Sequence, residues 1–135
     1  MKKLLGFTAV LLLVPQISFA NTCSLPTSLD GLEFITLSNP LYSKSQTNAG
    51  TLGKMSFKSA TYDFDALNST TSYTANYNYQ VVGQNNDVAI IDASTTQGKT
   101  LNYTYTLKCK DDKTGTIIFT SDSLDKQNTL IYAID

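Results

Sequence analysis

The side chains of this chain that can perform acid-base chemistry are carboxylates, because the sequence contains no histidine. The usual general base, the usual zinc ligand and any conventional serine or cysteine triad are therefore missing. Asp63 and Asp65 lie two residues apart in a strand-like segment, and Asp111 and Asp112 lie together in a turn sequence. Such pairs can serve a glycosidase or bind calcium. Both pairs are expected on the solvated surface, so we predict a protein that is not an enzyme and uses no metal and no cofactor.

The two cysteines are Cys23 and Cys109. In an oxidising compartment an isolated pair usually closes a structural disulfide. Two free thiols with a redox task are the alternative, but the close Cys-x-x-Cys pair typical of that task is absent. Lipidation of Cys23 is a further alternative, although Asn21 and Thr22 stand where a lipidated cysteine needs small residues. We therefore predict a disulfide between the two.

The N-terminal residues indicate export. Lys2 and Lys3 precede an apolar run, which ends in a small-any-small cleavage pattern at residues 18–20. This arrangement is typical of a bacterial secretory signal peptide, here residues 1–20. We expect residues 21–135 to form a single domain that is periplasmic or secreted, without a membrane span.

The charge balance disfavours binding to nucleic acid. The chain has 10 Lys+Arg and 11 Asp+Glu, and loss of Lys2 and Lys3 with the signal leaves 8 against 11. All positive charges are lysines, and they form no basic stripe. Without such a stripe or an arginine fork, the phosphates of a nucleic acid have little to bind.

Three tyrosines, Tyr73, Tyr77 and Tyr79, lie in the stretch from Thr71 to Asp92. We interpret this stretch as two strands around a turn at residues 83–87. In its first half, Tyr, Ala and Val take the odd positions and Thr, Asn and Gln take the even ones. Side chains of a strand alternate between its two faces, so the tyrosines share one face. The same alternation recurs around Tyr103 and Tyr105.

The whole mature chain repeats this pattern and shows no convincing helix. We predict eight short strands, joined mostly by short turns, as an antiparallel up-and-down barrel with one disulfide. Closure is favoured because it removes exposed sheet edges. Ser38 to Gly50 is predicted to be a long surface loop, in which Leu41 and Tyr42 either pack on a strand end or fold over an opening.

The order of elements resembles the small lipocalin-like, or calycin-like, barrels. The resemblance is carried by Gly31-Leu32-Glu33-Phe34 opening the first strand, the long loop after it, Met55-Ser56-Phe57 and the two tyrosine-rich strands. Leu32 stands where that family usually has tryptophan. The resemblance implies an eight-stranded barrel whose interior holds one small ligand.

The interior of such a barrel would be lined by aromatic rings, and a core filled by those rings is the alternative. Further inward candidates are Met55, Phe64, Ile90 and Phe119. The residues predicted to bind a ligand are Phe34, Phe57, Tyr62, Tyr73, Tyr77, Tyr79, Tyr103 and Tyr105.

Two functions without catalysis follow from this sequence. The first is binding of a small hydrophobic, apolar or aromatic molecule inside the barrel, in which case Tyr77→Ala or Tyr105→Ala is expected to weaken binding. The second is a periplasmic interaction or inhibitor protein that acts on a protein partner through its loops. For this function the protein resembles the small barrels that inhibit lysozyme. The resemblance is to their architecture alone, since this sequence lacks their Ser-Gly-x-x-Tyr loop. A pilus subunit is a third possibility, disfavoured because Tyr132 is not the penultimate residue.

Overall fold

Eight antiparallel strands form the structure and pair in the order in which they occur in the chain. The computed structural model describes residues 23–40, 49–95, 98, 100–121 and 126–135, apart from the side chain of Lys126. The strands are β1 (Glu33–Ser38), β2 (Leu52–Phe57), β3 (Thr61–Ala66), β4 (Ser72–Val82), β5 (Val88–Thr95), β6 (Leu101–Cys109), β7 (Thr114–Ser121) and β8 (Lys126–Ile134).

The first and last strands also pair, so the sheet closes into a barrel. β1 lies antiparallel to β8, with Phe34 opposite Ile134 and Ser38 opposite Leu130. The described residues contain no helix, and therefore none that is long and apolar enough to cross a membrane. The predicted all-β class, the eight-stranded antiparallel barrel and the single disulfide are confirmed.

The predicted alternation of faces holds along most strands. Asp63 lies on the outer face of β3, where it accepts hydrogen bonds from Lys58 and Thr74. The prediction for Ile90 was wrong: Ile91 is fully buried and faces the interior, while Ile90 lies on the other face. The reason is that the sequence around them is apolar at successive positions, so only pairing with the neighbouring strands decides which residue points inward.

One end of the barrel, which we call the closed end, is covered by the segment from Cys23 to Leu32. The disulfide joins Cys23 to Cys109 at the end of β6. The amide of Leu25 donates to the carbonyl of Asn86 in the β4–β5 turn, and both Leu25 and Leu29 are buried in the core. This segment therefore closes the interior at the end where the disulfide lies.

Several sequence predictions lie outside the described residues. They are the signal peptide at residues 1–20 and the covering role of Leu41 and Tyr42 in the long loop. Asp111 and Asp112, predicted to lie together in a turn, are in the short connection between β6 and β7. There the carboxylate of Asp111 accepts hydrogen bonds from the amides of Lys113 and Thr114, which explains why the turn forms at this point.

Candidate functional site

The barrel interior is divided along its axis into a filled part and a cavity. Near the closed end, Phe34 stacks on Tyr132 with 5.0 Å between ring centroids, and it meets Phe57 edge to face at 5.1 Å. Ile91 and Leu107 fill the space beside these rings and are fully buried. This lower part is an ordinary packed core, stabilised by burial of apolar surface and by aromatic contacts.

The cavity lies at the opposite end of the interior and has a volume of about 610 Å³. Its rings come from four strands: Phe64 from β3, Tyr73 from β4, Tyr103 and Tyr105 from β6, and Phe119 from β7. The other lining residues are Thr36, Ser38, Ser72, Thr95, Leu101 and Leu130 on the strands, and Ala49, Gly50, Thr51, Asn68, Ser69 and Thr71 beyond them. None of the described residues that line the cavity is charged.

The wall of the cavity is held in place by ring packing. Phe64 stacks on Tyr73 with 4.9 Å between centroids, and Phe119 lies 5.6 Å from both Tyr103 and Tyr105. The ring of Phe64 also lies directly over Gly53, where an added Cβ would collide with it. A side chain at position 53 would therefore displace one wall of the cavity.

Phenol hydroxyls meet at the boundary between the core and the cavity. The hydroxyl oxygens of Tyr62 and Tyr103 lie 2.5 Å apart in a hydrogen bond. The ring of Tyr73 lies beside this pair, with its centroid 6.3 Å from that of Tyr62. Burial raises the pKa of Tyr62, Tyr103 and Tyr105 well above that of an exposed phenol, because a phenolate would lose its hydration.

The predicted binding residues fall into three groups. Tyr73, Tyr103 and Tyr105 line the cavity. Phe34, Phe57 and Tyr62 are buried in the core beneath it. The remaining two are Tyr77 and Tyr79, which belong to the closed end.

Hydrogen bonds explain why this last pair is separated from the cavity. Tyr77 donates its hydroxyl to the carbonyl of Lys58, 2.7 Å away, in the β2–β3 turn. Tyr79 donates to the carbonyl of Pro26 at 2.7 Å, and burial raises its pKa to about 12. Both hydroxyls thus fasten the closed end, and neither residue is part of the cavity lining.

Polar residues around the cavity were missed by the sequence reasoning. Thr36 and Ser38 are buried on the same face of β1 as Phe34, and Thr95 is buried at the end of β5. Asn128 is also buried, on the inner face of β8 in register with Phe119. Each of them stands an even number of positions from an apolar residue of the same strand and so shares its inward face, and this spacing was the signal that could have identified them.

The carboxylates that the sequence analysis considered for acid-base chemistry lie outside the barrel interior. Asp65, Asp111 and Asp112 are exposed, and Asp63 pairs with Lys58 on the outer face. The described residues contain no group of three or more His, Cys, Asp or Glu side chains that could hold a metal ion.

The fold and the site define the class of this protein: a closed eight-stranded antiparallel barrel with a cavity at one end, whose described lining residues are aromatic, aliphatic or polar without charge. Comparisons of the chain with protein-family models, with curated proteins and with solved structures find no match.

Proposed function

We propose that this protein is a non-catalytic, exported, lipocalin-like barrel that binds one small apolar or aromatic molecule in its cavity. The observation that carries the proposal is the cavity itself, whose volume of about 610 Å³ lies within the range of roughly 300 to 1,000 Å³ that is usual for small-molecule sites. Five aromatic rings and two leucines line it together with eight serine, threonine and asparagine side chains, and small-molecule sites combine apolar walls with polar groups that fix the orientation of the ligand.

The preformed wall supports this function. The Phe64–Tyr73 stack and the contacts of Phe119 hold the rings in place without a ligand. A site that is already ordered loses little conformational entropy when the ligand enters. The packed core below keeps the base of the cavity fixed, because Tyr62 is fully buried beneath Tyr103 and hydrogen-bonded to it.

The absence of charge among the described lining residues favours an uncharged ligand. A charged molecule would lose its hydration in the cavity without gaining an ion pair from these described residues. The disulfide supports export, since such bonds persist in oxidising compartments. We expect the protein to act outside the cytoplasm, in agreement with its signal-like N-terminus.

Binding of the uncharged dye N-phenylnaphthylamine, measured by titration and by native mass spectrometry, tests the proposal. The purified protein is expected to take up one dye molecule, and Tyr105→Ala should weaken that binding about tenfold because it removes a wall of the cavity. Tyr77→Ala, for which the sequence predicted weaker binding, becomes the matched control, because Tyr77 lies at the closed end and is not part of the cavity lining. Absence of dye uptake together with a filled interior in an experimental structure would refute the function.

An interaction or inhibitor protein is the second candidate. The sequence predicted that it acts through loops, whereas the exposed apolar residues favour a contact through the outer face of the strands. Leu37 of β1 lies opposite both Leu52 of β2 and Ile131 of β8. Ile131 is 58% exposed, and Ile118 on β7 is 49% exposed. Exposed apolar residues grouped in this way can mark a protein contact.

The partner expected for this candidate is a basic protein such as lysozyme, since the mature chain carries more acidic than basic residues. The test is a lysozyme inhibition assay with the purified protein at micromolar concentration. Ile131→Lys should abolish inhibition. The control is Thr116→Lys, which places the same charge at the exposed residue opposite Ile131 on β7. Full lysozyme activity in the presence of the unaltered protein counts against this candidate.

A further inference from the structure

The base of the cavity is a cluster of phenol hydroxyls that come from opposite walls. Tyr62 and Tyr73 lie on β3 and β4, whereas Tyr103 and Tyr105 lie on β6. The Tyr62–Tyr103 hydrogen bond spans the interior. Tyr73 lies beside Tyr62 and Tyr105 beside Tyr103, with 6.3 Å and 5.4 Å between the respective ring centroids. Three of these four residues, all except Tyr62, also line the cavity. A ligand that fills the cavity therefore reaches phenol hydroxyls at its inner end.

These hydroxyls act as hydrogen-bond donors. A phenol is protonated at neutral pH even when exposed, and burial raises the pKa of Tyr103 and Tyr105 further. A phenol that keeps its proton donates one hydrogen bond and can also accept. In the Tyr62–Tyr103 hydrogen bond one hydroxyl donates to the other, so the accepting phenol still has its own proton to donate to a further acceptor.

A second, independent donor lies beside the cavity. Asn128 is 1% exposed, and its Nδ2 atom has no hydrogen-bond partner. Its Oδ1 atom accepts a hydrogen bond from the amide of Thr129 at 2.7 Å, so only the amide donors are unused. Asn128 lies in register with Phe119, which lines the cavity. A buried donor without a partner costs stability, which is recovered when an acceptor arrives.

We propose that the cavity selects an uncharged aromatic molecule that carries a carbonyl oxygen, and that the phenol cluster and the amide of Asn128 donate hydrogen bonds to that oxygen. This inference rests on the proposed binding function and specifies the chemical class of the ligand. The rings of Phe64, Tyr73 and Phe119 contact the aromatic part. A carboxylate of the same size is disfavoured, because no cation among the described lining residues compensates its charge.

Three compounds of similar shape test this selection by calorimetric titration: 2-ethylnaphthalene, 2-acetylnaphthalene and 2-naphthoate. The ketone is expected to bind about tenfold more tightly than the hydrocarbon, the equivalent of one or two neutral hydrogen bonds. The carboxylate is expected to bind more weakly than the ketone. Equal affinities for the ketone and the hydrocarbon, or tightest binding of the carboxylate, would overturn the inference while leaving the binding function in place. Failure of all three to bind would overturn both.

Two variants assign the donors. Tyr105→Phe keeps the ring and removes the hydroxyl, and Asn128→Leu keeps the approximate volume and removes the amide. At least one of them is expected to reduce the preference for the ketone about three- to tenfold, with binding of the hydrocarbon nearly unchanged. Tyr77→Phe is the control, because its hydroxyl bonds to Lys58 at the closed end. An unchanged preference in both folded variants would refute the assigned donors.

Discussion

The hydroxyls of Tyr62 and Tyr103 lie 2.5 Å apart although their strands, β3 and β6, are not neighbours in the sheet. Tyr62 is fully buried, whereas Tyr103 lines the cavity. This hydrogen bond therefore joins two walls of the barrel at the depth where the packed core ends and the cavity begins.

A double-mutant cycle measures this cross-barrel bond. Tyr62→Phe and Tyr103→Phe should each lower the free energy of unfolding by about 1 kcal/mol, because each leaves a buried hydroxyl without its partner. The double variant should lose less than the sum, with a coupling of about 0.5 to 1.5 kcal/mol. Urea denaturation monitored by circular dichroism provides the values. Strict additivity would show that the two hydroxyls do not interact.

Tyr132→Phe is expected to raise stability. The ring of Tyr132 stacks on Phe34, but its buried hydroxyl has no hydrogen-bond partner. Removal of that hydroxyl keeps the stack and eliminates a desolvation cost, so the free energy of unfolding should rise by about 1 kcal/mol. The same urea titration measures it, with Tyr79→Phe as a control that should destabilise, since Tyr79 donates to Pro26. A loss of stability in Tyr132→Phe would contradict the prediction.

Alkaline pH should unfold the barrel cooperatively. Burial raises the pKa of Tyr62, Tyr103 and Tyr105 in the folded state, whereas in the unfolded chain they titrate near the ordinary value of 10.0. Above that pH the unfolded state binds fewer protons than the folded state, so stability is fully present below pH 10 and is lost as the pH rises.

Parallel recordings of phenolate absorbance and circular dichroism follow this transition. The buried tyrosines should ionise together with the loss of structure, and Tyr62→Phe should make stability less dependent on pH above 10. Complete ionisation of the tyrosines in a barrel that keeps its native spectrum would contradict the assigned burial.

Loss of the disulfide should destabilise the closed end most. Cys23 and Cys109 are 86 residues apart, so the bond restricts a long loop in the unfolded chain. The Cys23→Ser/Cys109→Ser variant should lose about 2 to 5 kcal/mol. Hydrogen exchange should rise first at the amide of Leu25, which bonds to Asn86 at the closed end. Uniform exchange throughout the barrel would argue against a local effect.

Much of the fold was predictable because alternation determines which residues face inward. In β4 and β6 every second residue is apolar, so the inward sets around Tyr73 and Tyr103 were correct. Ile90 was misplaced because it lies in an apolar run without alternation. There the pairing of Ile91 with Tyr79 and Tyr105 decides the face, and pairing across strands is not visible in a single sequence.

The location of the cavity was not predictable. The alternation of apolar and polar residues shows which side chains face the interior, but it does not show how far along the barrel axis they lie. Tyr73 and Tyr79 share a face of β4 but lie about 20 Å apart along it at 3.3 Å per residue. One lines the cavity, and the other bonds to Pro26 at the closed end. The closed end is determined by the segment after Cys23, whose path depends on contacts with several strands. For the same reason, the sequence could not decide between a filled and a hollow interior. The structure has a packed part and a cavity along the same axis.

Two threonine variants test the central claim, that the cavity holds a small molecule. Thr95 lines the cavity from β5, whereas Thr106 of β6 lies on the outer face in register with Ile90 and Ile118. Thr95→Phe would fill the cavity, and Thr106→Phe adds the same ring outside. Titration with N-phenylnaphthylamine should show one site in the unaltered protein and in Thr106→Phe, and affinity reduced by at least about tenfold in a folded Thr95→Phe. Equal binding by both variants, or no binding by the unaltered protein, would contradict the account.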